Sequence, residues 1–299
     1  APKGEPKMPV LARSLLRLAA ALSLWAAPAA HAAEPVTIVA AEDFYGDVAR
    51  QIAGPDATIT SILNNPDQDP HLFEASPSTA RAMATADIVI YNGADYDPWM
   101  RTLLSASKRT DRRIVVVAEL THHQPGDNPH LWYDPATMPV LARALADTLA
   151  AADPAHAEAY RSRRDRFLAS LAPLDQKIAA MRQKYAGTPV TATEPVFGYM
   201  ATALGLAMRN GRFQLAVMND TEPSASDTAA FEDDLRQHKV RALLYNSQAT
   251  DSTARHLLDL AGQAHVPTVA VTETELPGQT YQSWMLGELD ALDKALSTH

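Results

Sequence analysis

Seven kinds of position in this chain carry side chains able to grip a cation, and they fall where apolar runs end. In the first half they are Glu42, then Asp69 and His71, then Asp95 and Asp97, then Glu119, His122, His123, His130 and Asp134. In the second half they are Glu194, then Asp220 and Glu222, then Glu273 and Glu275. Imidazole nitrogens with carboxylate oxygens make a donor set for Mn²⁺, Fe²⁺ or Zn²⁺. No thiolate competes, because the chain has no cysteine. Two loops share one pattern: Asp69-Pro70-His71-Leu72-Phe73 and Asn128-Pro129-His130-Leu131-Trp132. In each, a proline fixes the backbone before a histidine, and apolar residues after it anchor the loop. Blander roles compete. Glu194 and Glu273 also fit first-turn helix acids. His122 and His123 read as solvent-exposed, and Tyr281, Trp284 and Met285 as core of a closing helix.

The elements that must position these groups alternate. Strands are expected at 36–41, 57–63, 87–92 and 113–118, separated by helices at 44–52, 78–85, 98–106 and 136–152. After residue 186 the alternation returns. Strands are expected at 190–193, 213–217, 240–246 and 268–272, with helices at 196–204, 224–238, 251–264 and 281–296. Strand–helix alternation builds a parallel sheet covered on both faces. Ligands of such sheets bind beyond the carboxyl ends of the strands. That is where the cation-capable residues lie.

Between the two halves, Asp153 to Tyr185 reads as one long helix. Asp153-Pro154 is a start signal, and Gly187-Thr188-Pro189 ends it. Tyr160, Phe167, Leu171, Leu174, Ile178, Met181 and Tyr185 recur at helical spacing, with Arg164 interrupting the stripe. Such a helix spans about 50 Å. Pro173 is expected to kink it. Because similar patterns flank it, a strut between two lobes is the favoured reading over a coiled-coil arm. The expected division is 1–32 leader, 33–152 first lobe, 153–186 linking helix and 187–299 second lobe.

The leader reads as a secretory signal. Arg13 and Arg17 supply its charge, Leu15 to Trp25 its apolar stretch and Ala30-His31-Ala32 its cleavage site. The 299 residues carry a formal charge of −9. Removal of the leader takes away four basic side chains and one acidic one, leaving the remainder more acidic. That argues against nucleic acid as a partner. The absence of cysteine also implies no disulfide and no lipid-anchoring residue at the cleavage site. A soluble, monomeric protein of the periplasm is expected.

Five pieces carry a family resemblance. They are Asp69-Pro70-His71, the stretch Asp87–Asp97, Asn128-Pro129-His130-Leu131-Trp132, Glu194-Pro195-Val196-Phe197-Gly198-Tyr199 and the long helix. With them the chain resembles the zinc/manganese-binding solute-binding proteins of bacterial ABC importers. The resemblance implies two parallel-sheet α/β lobes joined by one long rigid helix, with one divalent metal in the inter-lobe cleft. It implies His71, His130, Glu194 and Glu273 as the metal ligands, with Glu275 competing for the fourth place. It also implies an ABC permease and its ATPase as partners, and no enzymatic activity.

Two histidines with two carboxylates give a charge-neutral site for a divalent ion, Mn²⁺ or Zn²⁺. Glu194, at a position that is histidine in most zinc proteins of the family, tips the reading slightly to Mn²⁺, with Fe²⁺ also compatible. Each histidine must bind neutral, so affinity should fall as imidazole protonates. Asp134 or a backbone carbonyl is a candidate to orient a histidine ring, and Asn246 and Gln248 read as donors near the second-lobe ligands or as plain loop residues. Two other functions fit the residues: a metal-dependent hydrolase using Glu42 or Glu119 as base, and an adhesin-type surface protein.

Overall fold

A computed structural model of the chain describes residue 1 and residues 34–67, 70, 73–249 and 251–298. The leader beyond its first residue, and His71, lie outside the described residues.

The first lobe is a four-stranded parallel sheet. Its strands are β1 (Val36–Glu42), β2 (Ala57–Leu63), β3 (Ile88–Tyr91) and β4 (Arg113–Val116), in the order β2-β1-β3-β4. Registers such as Ile38 against Ile59 and Ile88 are parallel throughout. Ile38, Val39, Ala40 and Ala41 have no accessible surface. A strand apolar on both sides needs cover on both sides, and the crossover helices supply it. These are α1 (Asp43–Ala53), α2 (Pro77–Thr85), α3 (Trp99–Ala106), the single turn α4 (Val117–Leu120) and α5 (Thr137–Ala152).

The second lobe repeats the plan. Strands β5 (Pro189–Ala192), β6 (Ala207–Met208), β7 (Leu243–Asn246) and β8 (Thr268–Val271) lie parallel in the order β6-β5-β7-β8. Its helices are α8 (Gly198–Ala203), α9 (Gly211–Met218), α10 (Ala225–Arg236), α11 (Ser252–Gln263) and α12 (Tyr281–Ser297). In both sheets the second strand pairs outside the first, and the third pairs on its other side. The chain therefore reverses direction across each sheet between its first and third strands. That is the crevice where open α/β sheets take ligands. Glu42 ends the first strand of one lobe, and Glu194 lies just past the first strand of the other.

Two expectations are corrected, a strand and the single linking helix. Residues 213–217, read as a strand, lie in helix α9. Phe213 is buried and Val217 packs beside it in the same outer cluster, the four-residue spacing of one helix face. Leu215, on the other side, is half exposed at 50%. The second strand is instead the two-residue β6, too short to leave a periodic signal.

The link between the lobes is two helices, α6 (Ala157–Ser170) and α7 (Ala172–Tyr185), entered through a 3-10 turn at Pro154–His156. They meet at Leu171. There the Leu171 amide bonds Leu168 O at 3.3 Å and the Asp175 amide bonds Leu171 O at 3.0 Å. Pro173 stands in the first turn of α7, where a missing N–H leaves no intrahelical bond unmade. All seven residues of the expected apolar stripe are buried. They join a single cluster that runs from Ile38 and Phe44 through the link to Val190, Val269 and Trp284. The lobes thus share one core. One smaller cluster fills the outer face of each sheet.

Candidate metal centre

His130 follows a rigid turn on the first lobe. Two residues before it, Asn128 fixes its state. The Asn128 amide Nδ2 donates to the Pro195 carbonyl at 2.7 Å, so its Oδ1 must be the atom facing His130. That oxygen lies 2.6 Å from His130 Nδ1 and accepts from the His130 amide at 3.2 Å. An oxygen acceptor requires a proton on Nδ1. The neutral ring then carries its lone pair on Nε2. His130 is 1% exposed, and its Nε2 hydrogen-bonds nothing among the described residues. Nε2 faces the Glu273 Oε2 at 3.5 Å.

Glu273 comes from the other lobe, two residues past β8, and is fully buried. Its backbone amide donates to Gln248 Oε1 at 2.6 Å. Its Oε1 accepts from Asn246 Nδ2 at 2.5 Å. The buried Tyr96 phenol of the first lobe hydrogen-bonds the same carboxylate. Burial, then that carboxylate's charge, raise the Tyr96 pKa well above its ordinary value. The His130 nitrogen and the Glu273 carboxylate, buried and facing each other from the two lobes, are one imidazole and one carboxylate donor of the kind a divalent transition metal takes. Among the described residues no group of three or more such side chains gathers there.

Glu194 is buried at 8% exposure, beyond β5. It lines a crevice with Thr193 and with Thr253 and Ala254 of α11. Its neighbour Pro195 receives Asn128, and Tyr199 donates to Asn128 O at 2.7 Å. The Glu194 loop of the second lobe is therefore clamped to the His130 loop of the first. In the second sheet β7 runs between β5 and β8, so Asn246 lies between the strand ends that carry Glu194 and Glu273.

Other sequence candidates have different work. The Glu275 amide bonds Asp43 Oδ1 at 3.2 Å. Burial, then the Asp47 and Asp43 charges, push its carboxyl up to about 9. It belongs with the start of α1. Glu42 is fully buried beside Asp97; burial first, then that neighbour, hold its pKa well above the carboxylate range. Asp97 staples its own loop, accepting from the amides of Asn92 at 2.6 Å and Gly93 at 2.9 Å. Asp134, a candidate to orient a ring, instead accepts from the Ala136 amide at 2.9 Å. Asn128 takes that role. Asn246 and Gln248 do hold Glu273. His122 is exposed. His123 sets Nδ1 2.9 Å from Thr121 Oγ1 and its ring edge-on to Tyr199. Both line a cavity of about 400 Å³ with Asp95, Arg101 and Glu119. Asp220 and Glu222 are exposed between α9 and α10.

Two parallel α/β lobes sharing one core, with buried nitrogen and oxygen donors meeting between them, define a two-lobed substrate-binding protein. The profile described as "ZnuA: Zinc-uptake complex component A periplasmic" matches residues 38–295, and the chain belongs to that family. The family is one of substrate-binding components of transporters, not of enzymes. The chain is 24% identical over 285 residues to the manganese ABC transporter substrate-binding lipoprotein PsaA of Streptococcus anginosus, covering 88% of this chain and 90% of that protein. Its fold is similar to the periplasmic zinc-binding protein TroA of Treponema pallidum, with TM-score 0.73 and 21% identity over 88% of this chain and 99% of that one. It is also similar to Zn(II)-bound AdcA of Streptococcus pneumoniae, with TM-score 0.68 and 20% identity over 89% of this chain and 58% of that one.

Proposed function

We propose that this chain captures one divalent transition ion, Mn²⁺ or Zn²⁺, outside the cytoplasm and delivers it to an ABC permease for import. The ligands are His71 and His130 from the first lobe and Glu194 and Glu273 from the second. The carrying observation is His130 Nε2, buried, its lone pair turned by Asn128 toward Glu273 Oε2 3.5 Å away. The relatives named for manganese transport and for zinc binding support the same cargo. The protein acts as a monomer in the periplasm, and an ATPase drives the permease it serves. A hydrolase would need an open metal position with a water and a free base. Glu42, the buried candidate base, is instead engaged with Asp97.

The test is elemental analysis of purified protein after competitive loading with Zn²⁺ and Mn²⁺, beside His71→Ala and His130→Ala. One equivalent of metal in the wild type and none in either variant is expected. Stoichiometric metal in His130→Ala would remove His130 from the site. No metal in the wild type would overturn the reading.

A further inference from the structure

We infer that Glu288 is a positioning residue of the proposed metal site: as a neutral carboxylic acid it joins the turn that follows His130 to the strand end that carries Glu273. The inference rests on the proposed metal capture and adds to it a residue, outside the ligand set, that holds the two ligand loops in register.

Glu288 belongs to α12 and is buried. Its Oε1 accepts from the Thr272 amide at 3.1 Å. The same oxygen shares the Trp284 indole N–H with Thr272 Oγ1, at 3.0 and 2.9 Å. Its Oε2 lies 2.7 Å from the Tyr133 hydroxyl. Thr272 directly precedes Glu273 in the second lobe. Tyr133 closes the 3-10 turn Leu131–Tyr133 of the first lobe, and its amide donates to His130 O at 3.2 Å. One carboxyl group therefore holds the immediate neighbours of two proposed ligands, one from each lobe.

Counting hydrogens fixes its state. The Tyr133 oxygen has two oxygen partners, Glu288 Oε2 and the Thr272 carbonyl, each at 2.7 Å. Both are the length of a full O–H···O bond, yet a phenol has one hydrogen. The carbonyl can only accept, so the phenol hydrogen belongs on the bond to Thr272. The bond to Glu288 then takes its proton from the carboxyl. Glu288 donates to Tyr133, Tyr133 donates to Thr272 O, and the Thr272 amide donates back to Glu288 Oε1. With Glu288 ionised, the single phenol hydrogen would have to serve both contacts. The surroundings agree. No Lys, Arg or His pairs with Glu288 among the described residues, and a buried carboxylate without a cation is costly. Burial pushes its carboxyl up to about 8, against donors, Tyr133 first, that lower it. Thr272 is thus held by both its N–H and its C=O, which fixes the backbone entering Glu273, and the group that holds its C=O sits on the His130 turn.

The experiment measures Zn²⁺ and Mn²⁺ affinity by chelator competition on the full chain and on Glu288→Gln, Glu288→Met and Tyr133→Phe. The glutamine amide reproduces the neutral acid: its N–H donates to Tyr133 and its oxygen accepts from Thr272. Wild-type affinity is expected. Glu288→Met and Tyr133→Phe keep the bulk and break the relay. Each is expected to weaken both metals about tenfold, the low end for groups that orient a metal ligand. Tyr133→Phe with wild-type affinity would reduce the relay to packing and overturn the inference, whatever its melting temperature. Glu288→Gln that is weakened as far as Glu288→Met, or does not fold, would show that the carboxylate charge is required and overturn it too. Should Glu288→Met and Tyr133→Phe fail to fold, infrared spectra decide. The difference between metal-free wild type and Glu288→Gln at neutral pH is expected to show the carbonyl stretch of a protonated carboxyl, and carboxylate bands in its place overturn the inference. Wild-type protein that binds neither metal would sink the proposed function itself, a result distinct from metal bound equally by every variant.

Discussion

At the scale of single residues, two asparagines hold members of the proposed site. Asn128 fixes which nitrogen of His130 carries the proton, and Asn246 donates to Glu273 Oε1. Neither is a ligand in the proposed set. Asn128→Ala removes the partner of Nδ1, lets the ring choose the other tautomer and frees it to rotate. Metal affinity is expected to fall about 10- to 100-fold by chelator competition, with one equivalent still bound at saturation. An affinity equal to wild type would show that the ring is oriented by its packing against Trp132 and Tyr96 alone. His130 and Glu273 were legible in the sequence because they follow apolar strands, and the ends of parallel strands converge. Asn128 stood in the same Asn-Pro-His motif, yet its role was hidden. Its amide is oriented by Pro195, 67 residues away on the other lobe. A partner supplied by tertiary contact leaves no local signature, and so Asp134, nearer in the chain to a helix start, was the wrong candidate for this work.

At the scale of elements, helices are held by both apolar stripes and charge. The stripe of the linking segment was legible residue by residue, since helical periodicity is a local property. The break at Leu171 was displaced from the expected kink at Pro173, because a proline in the first turn of a new helix is tolerated where one in mid-helix is not. The stretch 213–217 misled for the opposite reason: five residues are too few to separate alternation from a helical face. Charge fastens α12 to α7. Asp293 accepts from Lys177 at 2.8 Å, Tyr185 at 2.6 Å and Lys184 at 3.3 Å. These donors, Lys177 first, lower its pKa to about 2 from 3.8. A folded pKa below the unfolded one stabilises the fold above the unfolded value, and that contribution is lost as pH falls through 3.8 toward 2. The Asp293 side chain is 30% exposed, so solvent screening limits the effect to about 1 kcal/mol. Asp293→Asn should lower the melting temperature at pH 7, with the gap to wild type closing by pH 2. A gap that is constant over this range would mean that the carboxylate charge contributes nothing.

At the scale of the molecule, the question is how an ion held at the proposed site between the two lobes can leave. The lobes share one apolar cluster through α6 and α7. Within it, Phe44, Trp132, Tyr133 and Trp284 make an aromatic mesh, with Phe44 and Trp284 rings 5.8 Å apart. Polar bonds cross as well. Tyr281 donates its hydroxyl to Trp132 O at 2.9 Å, and its amide to Asp47 at 2.9 Å. A wide hinge opening would expose this core to water, and apolar burial opposes that at roughly 25 cal/mol per Å². Metal binding is therefore expected to leave the radius of gyration unchanged in small-angle scattering. It should still raise thermal stability, by about 2.7 kcal/mol when free metal is a hundredfold above its dissociation constant. A clear contraction on loading, of the kind seen in hinge-closing binding proteins, would refute the rigid picture. With rigid lobes, release must come from small displacements of the loops that carry the proposed ligands. The His130 loop and the Glu273 loop belong to different lobes, and the Asn128–Pro195 bond ties the former to the second lobe. A permease that pulls the two surfaces apart by the length of that hydrogen bond would separate His130 from Glu273 while leaving both sheets intact.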